Sequence, residues 1–417
     1  MLTKAPKGTK DVLPQEAYKW HYIEDTIREI ARAYGYQEIR TPVFEHTELF
    51  ERGVGDTTDI VQKEMYTFLD KGERSITLKP EGTAGAARAY IEHKLYAEPQ
   101  PVKMYYITPC YRYERPQAGR LREFHQFGVE VFGAPQASVD VEIITMAMTL
   151  FTRLGIKDLS VKINSIGCPN CRPVYHEILK SYLAGHLDEL CETCKERYEK
   201  NPLRILDCKV SECQDIIEGV PHMLDHLCEE CSRHFEEIKR FLEAAGFDYT
   251  IDPMIVRGLD YYTKTVFEII SGSIGAQGTI CGGGRYDGLV EECGGPQVPG
   301  VGFGLGLERL LLAMEKQGVT IPKPAVCDLY FATIGEEARV KAFELIRKLR
   351  DNGISCDMDH IGRSLKSQFK YADKLGARFV GTLGDEELAS GQLKLKEMAT
   401  GKEETVAFGK ICEFISA

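Results

Sequence analysis

Val102-Lys103-Met104-Tyr105-Tyr106-Ile107 and, after a polar interval, Glu123-Phe124-His125-Gln126-Phe127-Gly128-Val129-Glu130-Val131 decide the fold of this chain. Apolar residues recur at Val102, Met104, Tyr106 and Ile107, then at Phe127, Val129 and Val131, an alternation that predicts two strands. The interval Glu114-Arg115-Pro116-Gln117-Ala118-Gly119-Arg120-Leu121-Arg122 reads as the polar loop joining them antiparallel. Arginines close to such a turn, here Arg112, Arg120 and Arg122, suit phosphate oxygens because guanidinium offers a planar fork of donors. Without further context, a cluster like this is a solvated surface.

Outward from this pair the pattern alternates between the two periods. Tyr18, Ile23, Ile27 and Ile30 fall at helical spacing between Pro14 and Tyr34, and Gly35 closes the helix. Residues 36–43 read as a strand whose Pro42 excludes a central ladder position. A helix is expected over 138–154 and a strand over 159–163. Residues 166–245 turn cysteine-rich and helical, the mark of an insertion. Residues 301–317 read as a glycine-spaced strand followed by a helix. Pro322-Lys323-Pro324 marks a linker. Beyond it, strands at 328–333, 354–358 and 378–383 alternate with helices at 336–352 and 364–375, the pattern of a small α/β domain. The expected organisation is a first domain over 1–325, interrupted by the 166–245 insertion, and a second over 326–417.

Two further segments describe a ligand site. Arg257-Gly258-Leu259-Asp260-Tyr261-Tyr262-Thr263-Lys264-Thr265-Val266-Phe267-Glu268-Ile269 sets an arginine at the start of a β-rich run, facing a floor of tyrosines. Cys281-Gly282-Gly283-Gly284-Arg285-Tyr286-Asp287-Gly288-Leu289 follows, with glycines that let backbone approach a ligand closely. A cation, phenols and bare backbone fit a polar, partly anionic small molecule.

The chain has 417 residues, 43% of them apolar and 28% charged, which predicts two or three soluble domains. Its formal net charge of −11 argues against a general nucleic-acid-coating protein and against DNA, yet leaves room for a local basic face. Residues 1–7 have no apolar stretch of the secretory kind, and no run is long enough to cross a bilayer, so a cytoplasmic location without membrane contact is expected. Fourteen cysteines in that setting point to reduced thiols or metal ligands. Cys168-Pro169-Asn170-Cys171, Cys191-Glu192-Thr193-Cys194, Cys208 with Cys213, and Cys228-Glu229-Glu230-Cys231 are four pairs within the insertion. Such knuckles can hold structural zinc, and buried or surface thiols are the other reading. If zinc is held, the ligands are expected among Cys191, Cys194, Cys208, Cys213, Cys228 and Cys231, with the choice of four open.

Set in order, these segments resemble the histidyl-tRNA synthetase family. Tyr111-Arg112-Tyr113-Glu114-Arg115-Pro116-Gln117 is similar to motif 2 of the class II synthetases. Gly302-Phe303-Gly304-Leu305-Gly306-Leu307-Glu308-Arg309-Leu310 is similar to motif 3, and the helix, strand and Pro42 near the start resemble motif 1. Residues 257–269 and 281–289 resemble the family's two histidine signatures. Lys7-Gly8-Thr9-Lys10-Asp11 and Leu78-Lys79-Pro80-Glu81-Gly82-Thr83 extend the likeness over nearly the whole chain.

The resemblance implies an α+β catalytic domain on a mixed, mainly antiparallel sheet, a helical insertion, and a C-terminal α/β anticodon-binding domain. It implies L-histidine, ATP with Mg2+, and tRNA(His) as partners, in a homodimer. By the same resemblance Arg257 and Arg112 are catalytic. Glu81, Thr83, Gln126, Glu130, Tyr261, Tyr262 and Tyr286 hold histidine, and Arg112, Arg120, Phe124 and Arg309 hold ATP. Arg115 and Gln117 reach the tRNA acceptor end, and the insertion closes against its stem. Lys366 and Lys370, with Arg363 and Lys374 at near-helical spacing, form a basic tRNA face, although such a face is often only solvated.

The alternatives are a non-charging, histidine-sensing regulatory subunit of ATP phosphoribosyltransferase, and a class II synthetase for proline, threonine or glycine. The four arginines at 112, 120, 257 and 309 and the segment 326–417 weigh against the first. The two histidine signatures weigh against the second.

Overall fold

The computed structural model describes residues 3–55, 58–273 and 278–416. Met1 and Leu2 of the opening segment, and Ala417, lie outside them. The chain divides into two compact units, Met1–Ile321 and Pro322–Ala417.

The first unit is built on an eight-stranded sheet. Its strands run in the order Gln37–Glu38, Val102–Tyr111, Glu123–Phe132, Gly300–Gly306, Thr279–Arg285, Thr263–Ser271, Leu159–Ser165 and Tyr249–Ile251. The two edge pairings are parallel and the interior is antiparallel. The alternation in 102–131 is realised in full, with Met104 opposite Glu130 and Tyr106 opposite Gly128. Because side chains alternate across a strand, Tyr105, Phe127, Val129, Val131, Phe267, Val301, Phe303 and Leu305 share one face. That face packs on the helices Pro14–Ala33, Ala137–Arg153 and Leu307–Lys316 to form the main core. At about 25 cal/mol per Å² of buried apolar area, this core is the principal stabilising term of the unit.

Two expectations are corrected. Of residues 36–43 only Gln37 and Glu38 join this sheet. After Pro42 the chain leaves it, and Phe44–His46 belongs to a separate three-stranded sheet with Tyr66–Leu69 and Ser75–Leu78. The strand expected to carry Arg257 starts only at Thr263. The stretch before it is held by scattered bonds instead of a ladder, such as Asp260 N–H to the Val54 carbonyl at 3.1 Å.

The insertion contains the helices Cys171–Ala184, Glu192–Lys200, Ser211–Ile217 and Glu229–Ala244. Its small core mixes Tyr175, Leu179, Leu183 and Ile205 with six buried cysteines.

A fully buried ion pair ties sheet to helix. Arg285 is 0% exposed. It donates through Nε to Asp140 at 3.2 Å, through Nη2 to the same carboxylate, and through Nη1 to the Ala134 carbonyl at 2.9 Å. Burial pushes the Asp140 carboxyl up, but Arg285 outweighs it and holds the group down at about 2. His234 of the insertion's last helix stands 3.5 Å from Asp140.

The second unit is a five-stranded sheet in the order Cys356–Met358, Cys327–Thr333, Ala377–Leu383, Gln392–Glu397 and Glu403–Ala407. Its first three strands are parallel and the last two antiparallel. The strands and helices expected up to residue 383 are present within a few residues. The antiparallel extension, where Lys394 and Lys396 alternate with Leu393 and Leu395, had not been expected. Among the described residues, no helix is long and apolar enough to cross a membrane.

Candidate active site

The sheet face opposite the helical core is lined by Met104, Tyr106, Glu130, Gly302, Glu268 and Gly282, which the strand parity directs there. Tyr261, Tyr262 and Tyr286 close one end as an aromatic group, with ring centroids 4.7 Å (Tyr261–Tyr262) and 5.4 Å (Tyr261–Tyr286) apart. All three are buried.

Glu130, 1% exposed, is the centre of this pocket. Tyr106 donates its hydroxyl to Oε1 at 2.8 Å, and Tyr286 donates to Oε2. Burial pushes the Glu130 carboxyl up to about 8, against the opposing pull of bonds from Tyr286, Thr83 and Tyr106. The neighbouring strand has Gly302 opposite, where a Cβ would sit 2.1 Å from Oε2 of Glu130. Only a glycine fits there.

Glu81 and Gln126 shape the rim. Glu81 accepts the N–H groups of Thr83 and Ala84, both at 2.8 Å, and so caps the helix Thr83–Glu92. Gln126 accepts the Gly82 N–H at 2.9 Å. The histidine-binding candidates Glu81, Thr83, Gln126, Glu130, Tyr261, Tyr262 and Tyr286 therefore meet at one pocket.

Arg257 borders it. Its guanidinium carbon stands 6.0 Å from the Tyr262 ring centre, and its Nη1 pairs with Glu268, which also accepts the Thr279 hydroxyl at 2.8 Å. A Cβ at Gly282 would lie 2.4 Å from Nη2 of Arg257. The bare backbone of the glycine cluster thus makes room for this arginine.

On the ATP candidates, Arg112 donates Nε to the Pro80 carbonyl at 2.8 Å and stands 5.4 Å from the Phe124 ring. Arg120 pairs with Glu114 at 3.1 Å. Arg309 is disfavoured as a cation first by burial and then by nearby Arg120. Nε of Arg257 and Nε of Arg309 are buried and, among the described residues, have no hydrogen-bond acceptor. A buried donor left unpaired costs about 1–3 kcal/mol, which is tolerable where an anion is to be bound. Arg122 instead is structural: it lies 3.7 Å from the Tyr113 ring and donates to the Glu114 carbonyl at 3.2 Å.

With this geometry in hand, comparison with known proteins is decisive. A histidyl-tRNA synthetase family model matches residues 8–310, and an anticodon-binding domain model matches 328–417. The chain belongs to the histidyl-tRNA synthetase family. It is 63% identical, over 99% of both chains, to a histidine–tRNA ligase of Caldanaerobacter subterraneus subsp. tengcongensis. It is 57% identical, again over 99% of both, to one of Clostridioides difficile. In three dimensions it is similar to the apo histidyl-tRNA synthetase of S. aureus, with a TM-score of 0.86 at 42% identity, covering 99% of this chain and 100% of that one.

Several contributors to this synthetase-type site had no role assigned from the sequence. Glu308, at the start of the motif 3 helix, accepts the His125 N–H at 3.0 Å with both oxygens and meets its ring at the same distance. It thereby fixes the strand that carries Phe124 and Gln126. Tyr106 and Glu268 were legible in principle, being polar groups at pocket-facing parity on their strands. Arg204 was not, because it reaches the Arg257 carbonyl at 3.2 Å from the insertion.

The tRNA candidates divide. Arg115 and Gln117 are exposed on the motif 2 loop, and Lys366, Lys370 and Lys374 are exposed along the helix Leu365–Leu375. Arg363 does not join that face: it is spent on Asp359 at 2.6 Å and on the Tyr371 ring at 4.0 Å.

The buried Glu130 carboxyl predicts an inverted pH response. Its native group keeps a proton until about 8, whereas the unfolded one releases it near 4.5. The native state therefore binds more protons across that interval, and stability falls as pH rises through it. Glu130→Gln lacks this penalty, so its melting temperature relative to the unsubstituted protein should climb from pH 5 to pH 8. A difference that stays flat over this range would show that Glu130 is ionised in the native pocket.

Proposed function

We infer that the chain ligates L-histidine to tRNA(His) in two steps. The observation that carries the site assignment is a buried carboxyl among tyrosines, Glu130, whose proton an arriving cation would displace, together with two guanidinium groups whose Nε atoms have no acceptor among the described residues. The first suits an ammonium group and the second a carboxylate meeting a polyphosphate. The relatives named histidine–tRNA ligase match over nearly full length, and the anticodon-binding domain is present, so the regulatory-subunit reading is not favoured.

In the proposed mechanism Glu130, with Glu81, Thr83 and Gln126, receives the histidine ammonium. Tyr262 meets the imidazole, and Tyr261 and Tyr286 wall the pocket. Polar groups left unpaired by an apolar analogue would reject it by roughly 10⁴-fold. No base is required, since an α-carboxyl group titrates near ~3.5 and is already ionised. That carboxylate attacks the α-phosphorus of ATP, the bond to the β-phosphate oxygen breaks, and pyrophosphate leaves. Arg112 and Arg257 offset the charge that accumulates as the two anions meet. Arg120 and Arg309 hold the outer phosphates, and Phe124 stacks on the adenine. Magnesium, as part of the nucleotide substrate, adds positive charge on the phosphates. A ribose hydroxyl of the terminal adenosine then attacks the adenylate carbonyl and releases AMP.

Histidine-dependent ATP–pyrophosphate exchange, with proline, threonine and glycine as controls, tests the first step. Exchange should occur with histidine alone and fall by about 10²–10³ in Arg257→Ala, the loss typical of one transition-state donor. Exchange with another amino acid would overturn the specificity, and a near-normal Arg257→Ala rate would remove that residue from the mechanism.

For tRNA, Arg115 and Gln117 are assigned to the acceptor end, and Lys366 and Lys370 with Lys374 to the phosphate backbone. Changing the three lysines to Gln should weaken tRNA binding and flatten its salt dependence by about 2 logarithmic units per decade. An unchanged slope would leave them as a solvated face. The working form is proposed to be a homodimer joined near the motif 1 segment, supported by the exposed Val43 and Phe44 and by a neighbouring concavity of about 650 Å³ lined by Ile39, Pro42 and Arg88. Sedimentation velocity should give twice the 46.9 kDa chain mass, and a monomer would discard that assignment.

A further inference from the structure

The insertion gathers eight of the fourteen cysteines into two groups of four. Cys168 and Cys171 meet Cys228 and Cys231, while Cys191 and Cys194 meet Cys208 and Cys213. Within each group all four sulfurs lie within 4.8 Å of one another. This corrects the sequence reading, which looked for one set among six cysteines and left out Cys168 and Cys171.

The geometry selects a chemistry. Cys168 Sγ stands 3.6 Å from Cys171 Sγ and 3.9 Å from Cys228 Sγ, and Cys191 Sγ stands 3.9 Å from Cys208 Sγ. A disulfide needs about 2.05 Å and would join two sulfurs, not four. A tetrahedron of thiolates about 2.3 Å from a central zinc has edges of about 3.8 Å. The local backbone repeats as well. Cys191 and Cys228 each precede a helix with nearly the same angles, φ −66° and ψ 158° for the first, φ −66° and ψ 163° for the second. Each group also receives an N–H from a partner knuckle: Cys228 to Cys171 Sγ at 3.1 Å, and Cys191 to Cys213 Sγ at 3.3 Å. Donors aimed at sulfur stabilise the anionic form that a metal requires.

We propose that the insertion holds two structural zinc ions, one in each tetracysteine group, and that together they brace the 257–262 loop from outside. Four sulfur ligands close each site, leaving no position for substrate, so the role is architectural. The first site joins the start of the insertion to its last helix. Arg172, next to Cys171, donates to the Tyr262 carbonyl. The second site frames residues 195–207, from which Asn201 bonds Asp260 at 3.0 Å, Arg204 bonds the Arg257 carbonyl at 3.2 Å and Arg197 pairs with Asp59 at 3.3 Å. The bracing role rests on the reading of 257–262 as the histidine loop; the metal content does not.

Elemental analysis of the purified full-length protein tests the metal directly. Two zinc ions per chain are expected, falling to one in Cys208→Ser and to one in Cys231→Ser. Because a variant can fail to fold, the unsubstituted protein is also titrated with a mercurial: zinc should be released in two equivalents as eight thiols react. Less than one zinc per chain, a single equivalent, or iron in its place would overturn the two-site assignment. Arg204→Gln separates the bracing role. It should keep both zinc ions and raise the KM for histidine in exchange about tenfold, the effect of one hydrogen bond from a charged donor. An unchanged KM with full zinc would remove the bracing and leave the ions; absent exchange in the unsubstituted protein would fault the histidine reading alone.

Discussion

Arg285 is a charge without access to water, and the first unit is arranged around matching it. Its Nε and Nη2 meet Asp140, Nη2 also reaches the Gln136 carbonyl, and Nη1 donates to the Ala134 carbonyl. An isolated charge in such a place is strongly destabilising, on the order of 3–5 kcal/mol when one partner of a buried pair is removed. The pair therefore admits one docking of the Ala137–Arg153 helix on the sheet. It also settles orientation. With Arg285 committed to the helical face, strand parity sends Tyr286 to the opposite face, where it becomes a donor to Glu130.

That opposite face is unusual in how little side chain it carries. Along the Gly300–Gly306 strand, Val301, Phe303 and Leu305 point to the core while glycines occupy the alternate positions. The space that Gly302 releases is taken by Glu130 of the neighbouring strand, and the space beside Gly282, on the adjoining Thr279–Arg285 strand, by Arg257 from the loop before Thr263. A carboxyl held by tyrosines and a guanidinium paired with Glu268 thus share a dry floor. A low-dielectric site with fixed charges is the setting in which placed cations count most toward a developing anionic charge.

How much of this was legible follows from the range of the forces involved. The strands at 102–131 and the motif 3 strand and helix were readable because period-2 and period-3.6 patterns are local. The glycine cluster was readable as a place of close approach, yet the sequence could not say that Arg257 itself would fill it. Cys-x-x-Cys spacing revealed the knuckles, but which knuckle meets which is decided by helices folding 60 residues apart. Arg363 looked equivalent to Lys366 and Lys370 by spacing. Asp359, four residues before it, took it out of the face. Glu308 and Arg204 act over separations of 183 and 53 residues, and no local pattern announces such bonds.

The chain leaves the sheet after Ser165 and returns to it at Tyr249, opposite Val161, with the insertion between. To the catalytic sheet, the insertion is a loop. Closing a longer loop costs only about 0.6 kcal/mol for each doubling of its length. With Cys168 and Cys228 drawn together at the base, the stretches of the cassette that reach neither the 257–262 loop nor the main core are free to lengthen, shorten or change composition while the sheet registers stay as they are. Sequence drift in a lineage would then concentrate in those stretches, while the residues that touch the 257–262 loop stay tied to the adenylation site.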